Sequence, residues 1–278
     1  MKKDQLLTRR RALLAGAAAA GAAGTAGVLA AGRGHGPARP AAPAAGAQAQ
    51  SPLKPSAYRL QPLTGYGTPG TGPRRPAVRS EPILRMSGRG RTMMLTFDDG
   101  PDPHYTPEIL DTLAEYDVHA TFFVCGEMAG YYKDLLSRMA DEGHVVGNHT
   151  WSHPLLTKLS RSRVRAEMES TCEIVEKTYG EPPRWFRAPY GAWNRAVFQL
   201  GAELGMEPLA WTVDSLDWTT PGTATIVDRV EDGAAPGVVV LSHDAGGDRS
   251  QTVRALRTYL PQLLDSGYHL TVPRRQQV

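Results

Sequence analysis

Five short polar clusters in this chain carry side chains that could do chemistry together. Asp98 and Asp99 are adjacent in Thr96-Phe97-Asp98-Asp99-Gly100. After a strand they point differently, so one can bind a metal while its neighbour faces a substrate; Asp-Asp-Gly is also ordinary turn chemistry. His149 and His153 are four apart in His149-Thr150-Trp151-Ser152-His153. They share a face if the segment is helical, a common geometry for two imidazoles on one metal, and a carboxylate from elsewhere would complete a site with positions left for water and substrate. In Arg187-Ala188-Pro189-Tyr190-Gly191 the arginine could orient a carboxylate or form a surface ion pair. Asp214-Ser215-Leu216-Asp217-Trp218 adds acidic groups, and Leu241-Ser242-His243-Asp244 ends an apolar run in a histidine, a candidate acid–base group.

The elements around these clusters must place them. Thr92–Phe97 is a short apolar run that reads as a buried strand, followed by a helix over Thr106–Tyr116 with Ile109, Leu110 and Leu113 on one face. Val118–Val124 reads as a strand, Glu127–Glu142 as one helix and Val145–Gly147 as a strand running into His149. A long helix over Arg161–Tyr179 precedes a strand at Trp185–Arg187. Helices follow near Asn194–Leu204, Thr223–Val230 and Thr252–Leu264, interleaved with strands at Leu209–Val213, Val238–Leu241 and Tyr268–Val272. Strands alternating with helices imply parallel pairing and right-handed crossovers. About seven units in residues 91–278 predict an α/β fold, a deformed (β/α) barrel in a single domain, shorter than the usual eight-unit form. All five clusters fall at strand ends, where such folds put their active sites.

The order of the clusters is more specific than any one of them. The chain resembles the polysaccharide deacetylase family (carbohydrate esterase family 4, the NodB-homology domain). That family's T-F-D-D-G, H-[ST]-x-x-H, R-x-P-Y, D-x-x-D-W and L-x-H are all complete and in order between about Arg91 and Val272. The resemblance implies that Asp99, His149 and His153 bind a divalent metal, zinc first, with cobalt or nickel as alternatives. It implies that Asp98 is the general base, held and polarised by Arg187, and that the Tyr190 backbone N–H helps stabilise the oxyanion. His243 would be the general acid, oriented by Asp217, and Trp218 and Leu241 would form the pocket for the acetyl methyl. The implied activity is removal of acetyl groups from amino sugars of a cell-wall polymer. The rival readings are an O-acetyl esterase with the same machinery, or a glycan-binding protein with a silent site. Ser215 and Ser242 need no nucleophile's role, and the chain has no Gly-x-Ser-x-Gly elbow.

Charge and composition divide the chain. Residues 1–49 carry +6 and residues 50–90 another +6; with +3 over all 278 residues, residues 91–278 are net −9. The basic balance belongs to the N-terminal third, so it gives no reason to expect a nucleic-acid partner. Thr8-Arg9-Arg10-Arg11-Ala12-Leu13 followed by the Ala/Gly-rich run to Ala31 predicts a twin-arginine-like export signal over residues 1–32. Ala and Gly give little transfer energy, so the mature chain is expected to lack a transmembrane segment and to be secreted or wall-associated. Residues 33–90, rich in Pro, Ala, Gly and Arg without apolar periodicity, read as a disordered linker. Cys125 and Cys172 are too few for a disulfide scaffold; they could pair in an oxidising compartment, but two small packed side chains is the preferred reading. An acetylated polysaccharide is the expected partner, and a monomer the expected state.

Overall fold

A computed structural model describes residues 76–86 and 90–274 of the chain. The export signal, and the linker up to residue 75, lie outside the described residues.

The strands are β1 (Thr92–Asp98), β2 (Thr121–Val124), β3 (Val145–Asn148), β4 (Trp185–Phe186), β5 (Glu207–Pro208), β6 (Val213–Asp214), β7 (Val239–His243) and β8 (His269–Leu270). The helices are α1 (Thr106–Glu115), α2 (Gly126–Tyr131), α3 (Lys133–Asp141), α4 (Arg161–Tyr179), α5 (Arg195–Glu203), α6 (Thr223–Asp232) and α7 (Ser250–Asp265). Every pairing between these strands is parallel, in the order β5-β4-β3-β2-β1-β7-β6, with β8 beside the start of β1. β5 pairs with β4 and β6 with β7, and only Leu209–Thr212 separates them. One stretch of chain thus joins both ends of the strand order, which makes the sheet the expected deformed barrel.

Strand alternation sorts the side chains into two cores. Met93, Leu95 and Phe97 of β1 pack outward with Ile109, Leu110 and Leu113 of α1 and with Leu256, Tyr259 and Leu260 of α7. Met94, on the opposite face of β1, packs inside with Phe123, Trp185, Leu209 and Val239. The same alternation sends Thr96 and Asp98 inward, and Leu241 and His243 of β7 with them. The inner face therefore runs from an apolar floor to a polar mouth.

Three expectations need correction. The helix read over Glu127–Glu142 is two, α2 and α3, broken at Tyr132 (φ −121°, ψ 58°). The single strand read over Leu209–Val213 is not one strand: only Val213 falls in a named strand, β6, and the residues before it join β5 to β6 as pairing moves from β4 to β7. The linker read over residues 33–90 is also too long. Ile83 N–H donates to Pro208 O (2.8 Å), Ala210 N–H to Ile83 O (2.8 Å) and Met86 N–H to Gly237 O (3.0 Å). Ile83 and Met86 pack against the inner core. Residues 76–86 are poor in periodic apolar residues because they form isolated bridges, to Leu209 and to Val238, rather than a full strand.

Candidate active site

β1 and β7 set the centre of the site, since Asp98 and His243 are direct partners across that pair. Asp98 is buried, and its Oδ1 accepts from Arg187 Nη1 at 2.7 Å. Arg187 is fully buried. It also donates to Thr96 Oγ1 (2.8 Å) and to the carbonyls of Leu209 (3.1 Å) and Ala210 (2.8 Å), with its guanidinium over the Phe123 ring at 4.2 Å. Those partners fix its position without help from solvent. Burial pushes the Asp98 carboxyl up, and Arg187 opposes that shift without cancelling it. The pairing expected from sequence is present, but Asp98 is a stronger base than a simple ion pair would leave it.

Asp99 departs from the strand at φ 78°. Its Oδ1 lies 3.5 Å from His149 Nε2 and 3.3 Å from His153 Nε2. The histidines meet through a loop and not a helix. Thr150 (φ 69°) and His153 (φ 56°) are both left-handed, so the condition of shared helical spacing is not how they converge. Asp99, His149 and His153 are the one group among the described residues whose ligand atoms come together as a metal site would require, within 4.8 Å of one another.

The donor set fits a divalent metal. His149 Nδ1–H donates to the Arg187 carbonyl (2.8 Å), so the bare Nε2 lone pair faces the Asp99 carboxylate. Burial, and then the neighbouring His153, lower the His149 pKa to about 3, keeping the ring neutral. Asp99 Oδ1 is buried and has no hydrogen-bond partner. Two acceptors facing each other without a donor are unfavourable unless a cation lies between them.

On the other wall, His243 Nδ1 meets Asp217 Oδ1 at 2.7 Å, and its backbone N–H donates to Asp217 Oδ2 at 2.8 Å. Burial alone would lower the His243 pKa, but the Asp217 hydrogen bond and charge outweigh it and raise it to about 9. Asp217 is itself held by Thr252 Oγ1 (2.7 Å). Tyr190 lies in a tight turn at φ 62°, ψ 10°, and its exposed ring stands edge-on to His153 at 4.6 Å. The bonds of that turn run from Gly191 N–H to Ala188 O and from Ala192 N–H to Pro189 O. Trp218, beside Asp217, is partly exposed, whereas Leu241 is buried on the His243 face of β7. Cys125 and Cys172 are both free.

Other side chains around the site were not singled out from sequence. Thr96 and Asp244 lie inside the polar clusters but had no role assigned. Asp244 is buried against Gly100 and accepts from Thr106 Oγ1 at 2.5 Å, and burial raises its pKa to about 7. Thr252 and Glu167 are separated in sequence from every cluster, and only the fold brings them in.

This constellation on a parallel barrel defines a class, and comparison with known proteins agrees with it. The sequence model of the polysaccharide deacetylase family matches residues 85–209. A chitooligosaccharide deacetylase of Rhizobium leguminosarum bv. trifolii is 38% identical over 208 residues, covering 71% of this chain and 97% of the relative. The peptidoglycan-N-acetylmuramic acid deacetylase PdaC of Bacillus subtilis (strain 168) is 42% identical over 189 residues; the match covers 68% of this chain but 39% of that longer protein. Among solved structures, a peptidoglycan N-acetylglucosamine deacetylase matches with TM-score 0.66 and 37% identity over 68% of this chain and 89% of that one. The chain belongs to the polysaccharide deacetylase family, and its enzyme class is polysaccharide N-deacetylase, a hydrolase.

Proposed function

We propose that this enzyme is an exported, metal-dependent deacetylase that hydrolyses the N-acetyl group of N-acetylglucosamine-type residues in a cell-wall polysaccharide, peptidoglycan or a chitin-like glycan. The observation that carries the reading is the opposition of Asp98 to His243 across β1 and β7, with Asp99, His149 and His153 converging beside them. The relatives' names, chitooligosaccharide and peptidoglycan deacetylases, support an acetylated amino-sugar polymer as substrate. Export rests on residues 1–32; among the described residues no helix is long and apolar enough to cross a membrane.

Asp99, His149 and His153 would hold the metal, with zinc the best match to two imidazoles and a carboxylate. When bound, it would polarise the acetyl carbonyl and acidify a water molecule. Asp98 takes the proton from the attacking water, its basicity raised by burial and its orientation set by Arg187. The Tyr190 N–H, which the turn's own bonds do not use, donates to the developing oxyanion. An amine is a poor leaving group, so the C–N bond breaks as His243 Nε2–H protonates it. Asp217 holds the other ring nitrogen and keeps the imidazolium charged until that moment. Trp218 and Leu241, flanking Asp217 and His243 in sequence, bound the space for the acetyl methyl.

Acetate release measured on N-acetylglucosamine oligomers, peptidoglycan fragments and O-acetylated xylan oligomers tests the reading. Turnover of the amide substrates is expected to dominate. Release from acetylxylan alone would replace it with an O-acetyl esterase.

A further inference from the structure

The loop joining the two histidine ligands has a costly backbone. Left-handed φ is a genuine outlier for a β-branched residue such as Thr150, and such conformations persist only where their surroundings over-determine them. Part of the hold is local, with Thr150 N–H donating to Asn148 Oδ1 (2.8 Å), and part comes from the start of α2, where Gly126 N–H donates to Thr150 O (2.9 Å) and Glu127 N–H to Trp151 O (3.0 Å). α4 adds a further hold. The Glu167 carboxylate accepts the Ser152 N–H at Oε2 and the Ser152 hydroxyl at Oε1, both at 2.8 Å. α4 is seated on the core through Val164, Met168, Thr171 and Val175, and Asn148 Nδ2 donates to the Met168 carbonyl next to Glu167 at 2.8 Å. A two-point, charge-assisted grip from a rigid helix thus closes on the residue just before His153. Such bonds are stronger than neutral ones and fix orientation as well as distance.

We infer that Glu167 is a positioning residue of the metal site: acting through Ser152, it holds the His149–His153 loop in its metal-competent shape. The inference rests on the reading of Asp99, His149 and His153 as metal ligands. Removing partners that orient ligands typically lowers metal affinity about 10–100-fold. The glutamine variant keeps both contacts in neutral form, since Oε1 accepts the Ser152 N–H while Nε2–H donates to the Ser152 hydroxyl.

The full chain and its Glu167→Ala and Glu167→Gln variants, stripped of metal, would be titrated with zinc against a chromogenic chelator, with His149→Ala as the ligand-loss control. Zinc affinity should fall about 10–100-fold in Glu167→Ala and recover to within a few-fold of the parent in Glu167→Gln. Hydrogen exchange on the metal-free chains gives a readout without zinc: the Ser152 amide should exchange faster in Glu167→Ala, with α7 unchanged. Parental zinc affinity together with parental Ser152 exchange in Glu167→Ala overturns the inference. If the parent chain does not bind zinc, the ligand reading fails and Ser152 exchange alone decides whether Glu167 holds the loop. Should Glu167→Ala not fold, Ser152→Ala replaces it; a smaller loss of affinity supports the role and parental affinity overturns it.

Discussion

Asp98 and His243 face one another with opposite electrostatic needs. As the proposed base Asp98 must be free of its proton, and as the proposed acid His243 must keep one; burial opposes both, while Arg187 favours the first and Asp217 the second. Burial of Asp98 raises its pKa against the pull of Arg187, while the Asp217 hydrogen bond raises that of His243 to about 9 against burial. Activity should therefore fall at low pH, as Asp98 is protonated, and at high pH, as His243 loses its proton near 9. The same His243 shift stabilises the fold below pH 6.5, its ordinary value, and that contribution is lost as pH rises through about 9. Asp98→Asn should keep zinc yet lose about 10²–10⁴ in rate, the usual range for a general base; loss of zinc in that variant would move Asp98 into the ligand set. His243→Ala should cost as much on amide substrates but much less on aryl acetate esters, whose leaving group needs no proton. Equal damage to both substrates would rule out His243 as the acid.

At the scale of elements, the segment at residues 76–86 matters most for how the protein can be cut. It bridges the β5–β6 stretch and the start of β7, and Ile83 and Met86 close the apolar floor beneath the site. A truncated chain beginning at Pro76 should unfold like the parent in denaturant. One beginning at Ser87 loses three backbone hydrogen bonds, about 3 kcal/mol at about 1 kcal/mol each, before any loss of apolar burial. Matching stabilities for the two truncations would mean that the segment contributes nothing to the barrel.

For the molecule as a whole, the metal is expected to act as a ligand of the folded state alone, because its three proposed donors come from the residue after β1 and from the loop after β3. Zinc at one hundred times its Kd should add about 2.7 kcal/mol to stability, read as a rise in Tm that a chelator reverses. His149→Ala should fold, with a Tm that zinc no longer moves. A zinc-dependent shift that survives in that variant would point to binding elsewhere on the chain.

Much was legible in the sequence because it is written locally. β1 shows as an apolar run ending at Asp98, and α4 as a periodic stripe between Ser160, whose side chain accepts from Arg163 N–H, and Gly180 at φ 93°. The five clusters carry their residue types on their face. What stayed hidden depends on distant parts of the chain. The break at Tyr132 and the split of Leu209–Val213 arise where packing and pairing partners change, which no periodicity records. The packed segment at residues 76–86 has the composition of a linker and is ordered only by edges far away in sequence. Spacing offered a helix for His149 and His153, whereas strained backbone in a loop brings them together, tied by Glu167. The types of catalytic group follow from local chemistry read along the chain. Their basicity, and the grip that holds them in place, follow from burial and long-range contacts, which exist only once the barrel has closed.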